Sequence, residues 1–387
     1  MTAVIVGVWS MIFIGALMRG VEAQFVRNGI STLTGHIQVH HKGYRNDPAI
    51  ENSMTEPDVV GTALEKHLPP GAGWTFRVRV DAVASNARHS SGVTLVGIDP
   101  PREARVSFIG QAVTEGRYLK PDEAYGIVVG NALLEKFETK MGRKLVLMSQ
   151  GTDREIASRA FRIVGIFRAE LEATEKQFAF VTMPAAQQML KLGNGISEMS
   201  ILLPNDQDVP QVASALRTEL PAAEYEVHTW RELLPLVNAY LSLYDTFIFL
   251  WFLVVFIAMG FGIVNTTLMA VFERIREFGL LKALGMKPWW IIKEVLTESF
   301  LILVIGMGIG NILGLLTVFA LSGSGIDLSS FAAGAEYVGM SRVIYPVMHA
   351  KDMAMANLVV IVLGLLVSLY PAAKAARFTP VEALAHT

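Results

Sequence analysis

The densest run of groups able to do chemistry is Glu273-Arg274-Ile275-Arg276-Glu277-Phe278-Gly279-Leu280-Leu281-Lys282-Ala283-Leu284-Gly285. Acidic and basic side chains recur there every three or four residues beside Ile275, Phe278 and Leu281, the period of an amphipathic helix. The chemistry is recognition, not bond making. A helix lying on lipid with its arginines reaching phosphates is one reading; a helix seated in a groove of another protein is the other. Mixing Glu273 and Glu277 with Arg274, Arg276 and Lys282 favours the protein groove over anionic lipid. Bond-making signatures are absent from the sequence. It has no Gly-Lys dipeptide, and hence no phosphate-cradling loop with its lysine; it also lacks His-Glu-x-x-His and Gly-x-Ser-x-Gly. With no cysteine it offers no thiolate and no disulfide. His36, His40 and His41 fall together, but three ligands from one strand cannot converge on a metal. We assign no catalytic residue and no metal site.

The charged run must be held by what precedes it. Phe247 to Met269 carries no charge, so a membrane-spanning helix is expected to leave the bilayer and continue as the charged helix. Four spans are expected, at Ala3–Met18, Asp245–Met269, about Ser299–Leu321 and Met353–Tyr370, none with an ionisable residue inside. The first continues at helical spacing through Arg19-Gly20-Val21-Glu22-Ala23-Gln24-Phe25. A cleaved signal peptide is the rival reading; the lack of a basic n-region and of a small-x-small site speaks against it, and the missing basic flank points to a start further upstream. Arg274, Arg276, Lys282, Lys287 and Lys293 in one loop, with Lys374 and Arg377 in the tail, place that loop and the tail in the cytoplasm. Both termini are then inside, and the large insert after the first span is outside. Trp289 and Trp290 suit the headgroup belt. Gly306, Gly310 and Gly314 recur every fourth residue, a smooth stripe for close helix contact, with another span of the same chain preferred over a subunit interface. Composition agrees with a mixed chain: 52% hydrophobic, 18% charged, mean hydropathy +0.42. A net charge of −2 argues against nucleic acid as a partner.

From Gly35 to Trp230 the pattern is that of a soluble α+β region. Strands are expected at Ile37–His40, Thr75–Ala84, Val93–Ile98, Gly126–Val129, Lys144–Met148, Phe161–Phe167, Phe178–Thr182 and Met199–Leu203, and helices at Pro57–His67, Ala185–Leu192 and Asp208–Leu220. The fold class is an α-helical membrane protein of four transmembrane helices with this α+β domain inserted between helices 1 and 2.

The run 273–285, followed by Glu298-Ser299 and by Tyr370-Pro371-Ala372-x-x-Ala375-Ala376-Arg377-x-x-Pro380-Val381-Glu382-Ala383-Leu384, resembles the FtsX/MacB-type ABC permeases, also called type VII or mechanotransmission transporters. The motifs and the span order cover nearly the whole chain. Met18-Arg19-Gly20-Val21-Glu22 and Ser31-Thr32-Leu33-Thr34-Gly35-His36-Ile37-Gln38 look most like the lipoprotein-releasing LolC/LolE branch. The resemblance implies a permease subunit of a bacterial inner membrane, divided into a first helix with extension (1–34), a periplasmic MacB-like domain (35–235) and an FtsX-like domain (236–387). Within the periplasmic domain it implies porter-like flanks at 35–100 and 196–230 and a second lobe at about 101–195. It implies a second permease copy or paralogue and two cytoplasmic ATPase subunits, which would hold ATP and Mg; this chain itself needs no cofactor. The helix at 273–285, with Glu273, Arg274, Arg276, Glu277, Phe278, Leu281, Lys282 and Gly285, is the implied ATPase-coupling element. Lipoprotein or another lipid-anchored substrate would be extracted from the outer leaflet, entering past Val21, Phe25, Phe249, Phe252 and Phe256, unless these are ordinary packing aromatics. A periplasmic chaperone or adaptor would receive it, with Arg168–Gln177 a guessed docking loop. The alternatives are a MacB-like tripartite efflux permease and an FtsX-like signalling scaffold controlling an extracellular enzyme.

Overall fold

The structure, a computed structural model, describes residues 1–327 and 343–379. Arg342 and the Pro380-Val381-Glu382-Ala383-Leu384 segment lie outside the described residues. The chain divides into two compact units.

The first unit, residues 1–24, 239–327 and 343–379, is built on four long helices, Thr2–Gly29, Pro235–Glu273, Pro288–Ser324 and Ala350–Arg377. Each is long and apolar enough to cross a bilayer. The second has 39 residues, about 58 Å of helix against a hydrocarbon core of about 30 Å. It therefore starts ahead of the expected Asp245, because nothing between Pro235 and Tyr244 breaks a helix. The fourth also overruns, passing through Pro371 to Arg377. The helices close around Val8, Met11, Phe252, Leu303 and Val360. The glycine stripe of the third span faces the first span of the same chain: a Cβ on Gly306, Gly310 or Gly314 would fall 2.9, 2.8 and 2.8 Å from Val4, Val8 and Ile12. That close approach is what small residues permit between helices in lipid. Trp9 Nε1 donates to Thr317 Oγ1 at 3.1 Å and Asn311 Nδ2 to Asn357 Oδ1 at 3.1 Å, adding polar ties between spans.

The expected continuous helix at 273–285 is instead two pieces. The backbone leaves helical geometry at Arg274 (φ −102°, ψ 13°) and resumes as Ile275–Ala283. Gly285 at φ +98° ends that helix. Met286 N donates to Leu281 O and Gly285 N to Lys282 O, both at 3.0 Å, the paired closure that a glycine after a helix makes possible.

The second unit is a mixed α+β body whose strands are β1 (Ile37–His41), β2 (Gly73–Ser85), β3 (Ser90–Ile98), β4 (Val113–Gly116), β5 (Gly126–Gly130), β6 (Lys144–Gln150), β7 (Ile156–Phe167), β8 (Phe178–Thr182), β9 (Glu198–Leu202) and β10 (Tyr225–Thr229). Among the described residues the sheet order is β10-β1-β9-β2-β3-β8-β5-β7-β4, with β6 joining β2 to β7. The β3/β8 and β5/β7 pairs are parallel and the others antiparallel. Following β2-β3-β8-β5-β7-β6 returns to β2 and closes a barrel, which leaves those strands without a free edge between them. The long β2 belongs to both parts. Gly73–Arg77 pairs with β9, Val83–Ser85 pairs with β6, and β3 runs along its other edge from Arg77 to Ser85. Buried Val80, Ala82 and Ala84 alternate with Arg79, Asp81 and Val83 and join Leu95, Val129, Leu147 and Phe161 in one core. Helices Pro57–His67 and Val209–Glu219 pack on this body through Val60, Leu64, Val212 and Leu216.

Some strands and several short helices escape the sequence pattern. β4 is Val-Thr-Glu-Gly with no apolar alternation, and β10 hides its alternating Tyr225 and Val227 among polar residues. Asn131–Lys136 and Glu172–Gln177 are helices of 6 residues each. The second replaces the loop expected at Arg168–Gln177, and its buried Glu175 accepts from Ala132 N and Ala169 N at 3.0 and 2.9 Å.

Candidate functional site

The short helix Ile275–Ala283 sits where the two charged motifs of the sequence meet. Its inward residue Phe278, 3% exposed, packs with Val271, Ile291, Val295, Ala372 and Ala375, and Leu281 lies against the same cluster. Alanines at 372 and 375 keep the fourth helix thin enough for the phenyl ring to enter. Lys282 Nζ donates to the carbonyl oxygens of Ala376 and Phe378 at 2.8 and 2.6 Å. It thereby caps the end of the fourth helix, where carbonyls lack intrahelical partners and the helix dipole favours a cation. Phe272 adds an edge-on contact with Phe378 and carries Lys374 over its ring.

Arg274, at the break between the helices, gathers carboxylates. It meets Glu277 at 2.9 Å, Glu294 at 2.8 Å and Glu298 at 3.2 Å, and its guanidinium lies 5.3 Å from the Phe278 ring centre. One cation thus pins the start of the short helix to the first turns of the third span. Glu294 is the partner that sequence reasoning missed; its spacing of four from Glu298 puts both on one helical face. The outward face of the short helix presents Glu273, Arg276, Glu277, Leu280 and Leu284, all exposed. What this arrangement can do is bind: a mixed-charge, partly apolar face on a helix firmly seated from behind.

The other residues singled out by sequence have different surroundings. Phe252 and Phe256 are 7% and 8% exposed within the helical core, Val21 is buried, Phe25 is half-buried and Phe249 is exposed. Phe252 and Phe256 therefore line no open entrance in this conformation; Phe252 packs against Gly15 of the first helix. His36 Nδ1 accepts from Leu203 N at 3.0 Å, and His40 lies 3.9 Å from Glu198. Among the described residues no three His, Asp or Glu side chains gather as a metal cage.

Two charge clusters were invisible in sequence. In the α+β unit Arg77, fully buried, reaches Glu103 at 2.8 Å and Glu198 at 2.9 Å and donates to Leu33 O. Leu33 lies in the turn Ile30–Thr34 that ends the first helix, and its carbonyl also accepts from Gln38 Nε2. Burial alone would raise the Glu198 carboxyl, but the nearby His40 and the charges of Arg79 and Arg77 outweigh it and hold that carboxyl well below the usual carboxylate range. In the helical unit Arg19 meets Glu22, Asp245 and Asp352 at 2.7, 2.8 and 2.7 Å.

The MacB-like periplasmic core domain family matches residues 1–219, and the FtsX-like permease C-terminal family matches residues 248–380. The chain is an ABC transporter permease of the MacB/FtsX type. The permease is a multi-pass protein of the bacterial inner membrane with its α+β unit in the periplasm. It is 25% identical over 397 residues to the lipoprotein-releasing system transmembrane protein LolC of Xylella fastidiosa, covering 98% of this chain and 91% of the relative. It is 23% identical over 342 residues to LolE of Haemophilus influenzae, covering 83% and 80%. A macrolide export ATP-binding/permease protein MacB from Marinobacter nauticus is 32% identical over 126 residues, which are 33% of this chain and 17% of that protein. The solved periplasmic region of MacB from Actinobacillus actinomycetemcomitans aligns at a TM-score of 0.38 and 12% identity, covering 55% of this chain and 95% of that one.

Proposed function

We propose that the permease is the membrane half of an ATP-driven machine that lifts lipid-anchored or amphipathic cargo from the outer leaflet of the inner membrane. The observation that carries this reading is the near full-length correspondence with LolC, a protein named for lipoprotein release. The chemistry of the bundle is compatible with it. A lipid-anchored cargo is desorbed, not passed through, and the bundle core is made of Val, Ile, Met, Phe, Leu and Ala side chains. Desorption needs a strong source of work, since each buried CH₂ of an acyl chain anchors by about 0.8 kcal/mol.

In this reading the helix Ile275–Ala283 receives a cytoplasmic ATPase subunit, which holds ATP and Mg. Glu273, Arg276 and Glu277 face that partner, Phe278 and Leu281 seat the helix, Arg274 and Lys282 tie it to the third and fourth helices, and Gly285 turns the chain back. Two such ATPases and a second permease copy or paralogue complete the assembly, and a periplasmic chaperone or adaptor takes the cargo.

The test is purification of the full chain in detergent with its co-purifying subunits, reconstitution into phospholipid vesicles, and measurement of ATP-dependent transfer of a triacylated lipoprotein to the soluble fraction. We expect transfer with the native chain, and loss of cargo-stimulated ATP turnover when Glu273→Lys and Glu277→Lys are combined. Absence of any co-purifying ATPase, or unchanged coupling in the double variant, overturns the reading. Movement of a soluble amphiphile without lipoprotein transfer replaces it with efflux.

A further inference from the structure

The open sheet of the α+β unit buries Val39, Val80 and Met199 in the main core, and strand alternation sends Gln38, His40, Arg79, Asp81, Thr94 and Glu198 to the other face. These side chains line a cavity of about 330 Å³, room for about ten waters or a small organic molecule. Tyr44 makes a wall of it: its ring stacks on His40 with centres 5.3 Å apart, and its O–H donates to Arg79 O at 3.0 Å.

Two opposite charges in this cavity stay unspent. Arg77, buried in the same face, satisfies Glu198 at 2.9 Å, so Arg79 stands 3.7 Å from that carboxylate and makes no side-chain hydrogen bond among the described residues. Its guanidinium, with the side chain 35% exposed, lies 5.9 Å from the Phe178 ring centre, a contact that leaves the N–H groups to give. Asp81 follows two residues later on the same strand face, about 7 Å further along β2. It has no ion pair among the described residues, and its carboxylate accepts only from Thr94 Oγ1 at 3.5 Å. Arg45, also lining the cavity, spends one N–H on Glu232 O. His40 is 4% exposed and its Nδ1 has no partner among the described residues, the kind of buried orphan that native proteins pair with ordered water or a bound group.

We propose that this cavity binds a small zwitterion, a free amino acid or short peptide whose carboxylate meets Arg79 and Arg45 and whose ammonium meets Asp81. A simple anion is repelled by Asp81 and a simple cation by Arg79, so neither satisfies both charges. Hydrogen bonds to a guanidinium and to a carboxylate are the strong, charge-assisted kind, and the site offers both.

The test uses the full chain in non-ionic detergent, with radiolabelled glycylglycine as the probe in equilibrium dialysis. We expect saturable uptake of one molecule per chain. N-acetylglycylglycine, which lacks the ammonium, and glycylglycinamide, which lacks the carboxylate, should each compete at least about tenfold less well, the worth of one charge-assisted hydrogen bond. Asp81→Asn, at an exposed position, and Arg79→Gln, in which Arg77 still faces Glu198, should each weaken glycylglycine binding by a similar factor, with thermal melts showing that the variants fold. The blocked peptides decide the matter on the native chain should Arg79→Gln fail to fold. Absence of saturable uptake, blocked peptides that compete as well as glycylglycine, or full affinity in a folded Asp81→Asn chain overturns the site.

Discussion

Arg77 lies wholly buried between Glu103 and Glu198, whereas Arg274 meets Glu277, Glu294 and Glu298 with its side chain 38% exposed. The periplasmic cluster holds its charges away from water, where removing one partner strands the rest; the cytoplasmic cluster trades partners with solvent at little cost. The difference separates a joint that must hold from one that can rearrange. Arg77 ties the turn Ile30–Thr34, through Leu33 O, to β2 and, through Glu198, to β9. Arg274 sits at a helix break beside the exposed face of the short helix.

The comparison fails most visibly if Arg77→Ala is tolerated. That change leaves the buried Glu103 uncompensated and Glu198 with only Arg79 and His40 nearby, and should lower the stability of the periplasmic unit by about 3–5 kcal/mol, read as a fall in the urea midpoint of tryptophan fluorescence, to which Trp74 and Trp230 contribute. A smaller effect comes from acid. The Glu198 carboxyl is depressed in the folded state, so the stability it contributes is complete above the unfolded value of about 4.3 and is lost as pH falls below it, by up to about 1.4 kcal/mol per pH unit. Thermal melts of the full chain in detergent between pH 6 and 3 should show that slope, and Glu198→Gln should flatten it. The smallest effect is expected of Glu294→Gln, which leaves Arg274 two carboxylates and should cost under about 1 kcal/mol, shrinking further with added salt. A loss as large as that of Arg77→Ala would erase the distinction between the two clusters.

The spans were readable because an uncharged apolar stretch of about twenty residues is rarely anything but a membrane helix, and most strands because Val, Ile and Phe alternate between turn residues. The helix at 275–283 was readable from its period, yet its break at Arg274 was not, since the break depends on Glu294 and Glu298 arriving from another helix. The barrel closure was hidden for the same reason: nothing local in Lys144–Gln150 says that it pairs with both β2 and β7. Arg19, Asp245 and Asp352 read as flanking charges of three separate spans. Only packing brings them together.

Because β2 is a single uninterrupted strand common to the open sheet and the barrel, the periplasmic unit has no hinge between those two parts. A pull applied along that strand loads its hydrogen bonds with β3 all at once, in shear, instead of peeling them one after another. Traction along β2 is therefore shared by the open sheet and the barrel together, with no softness between them.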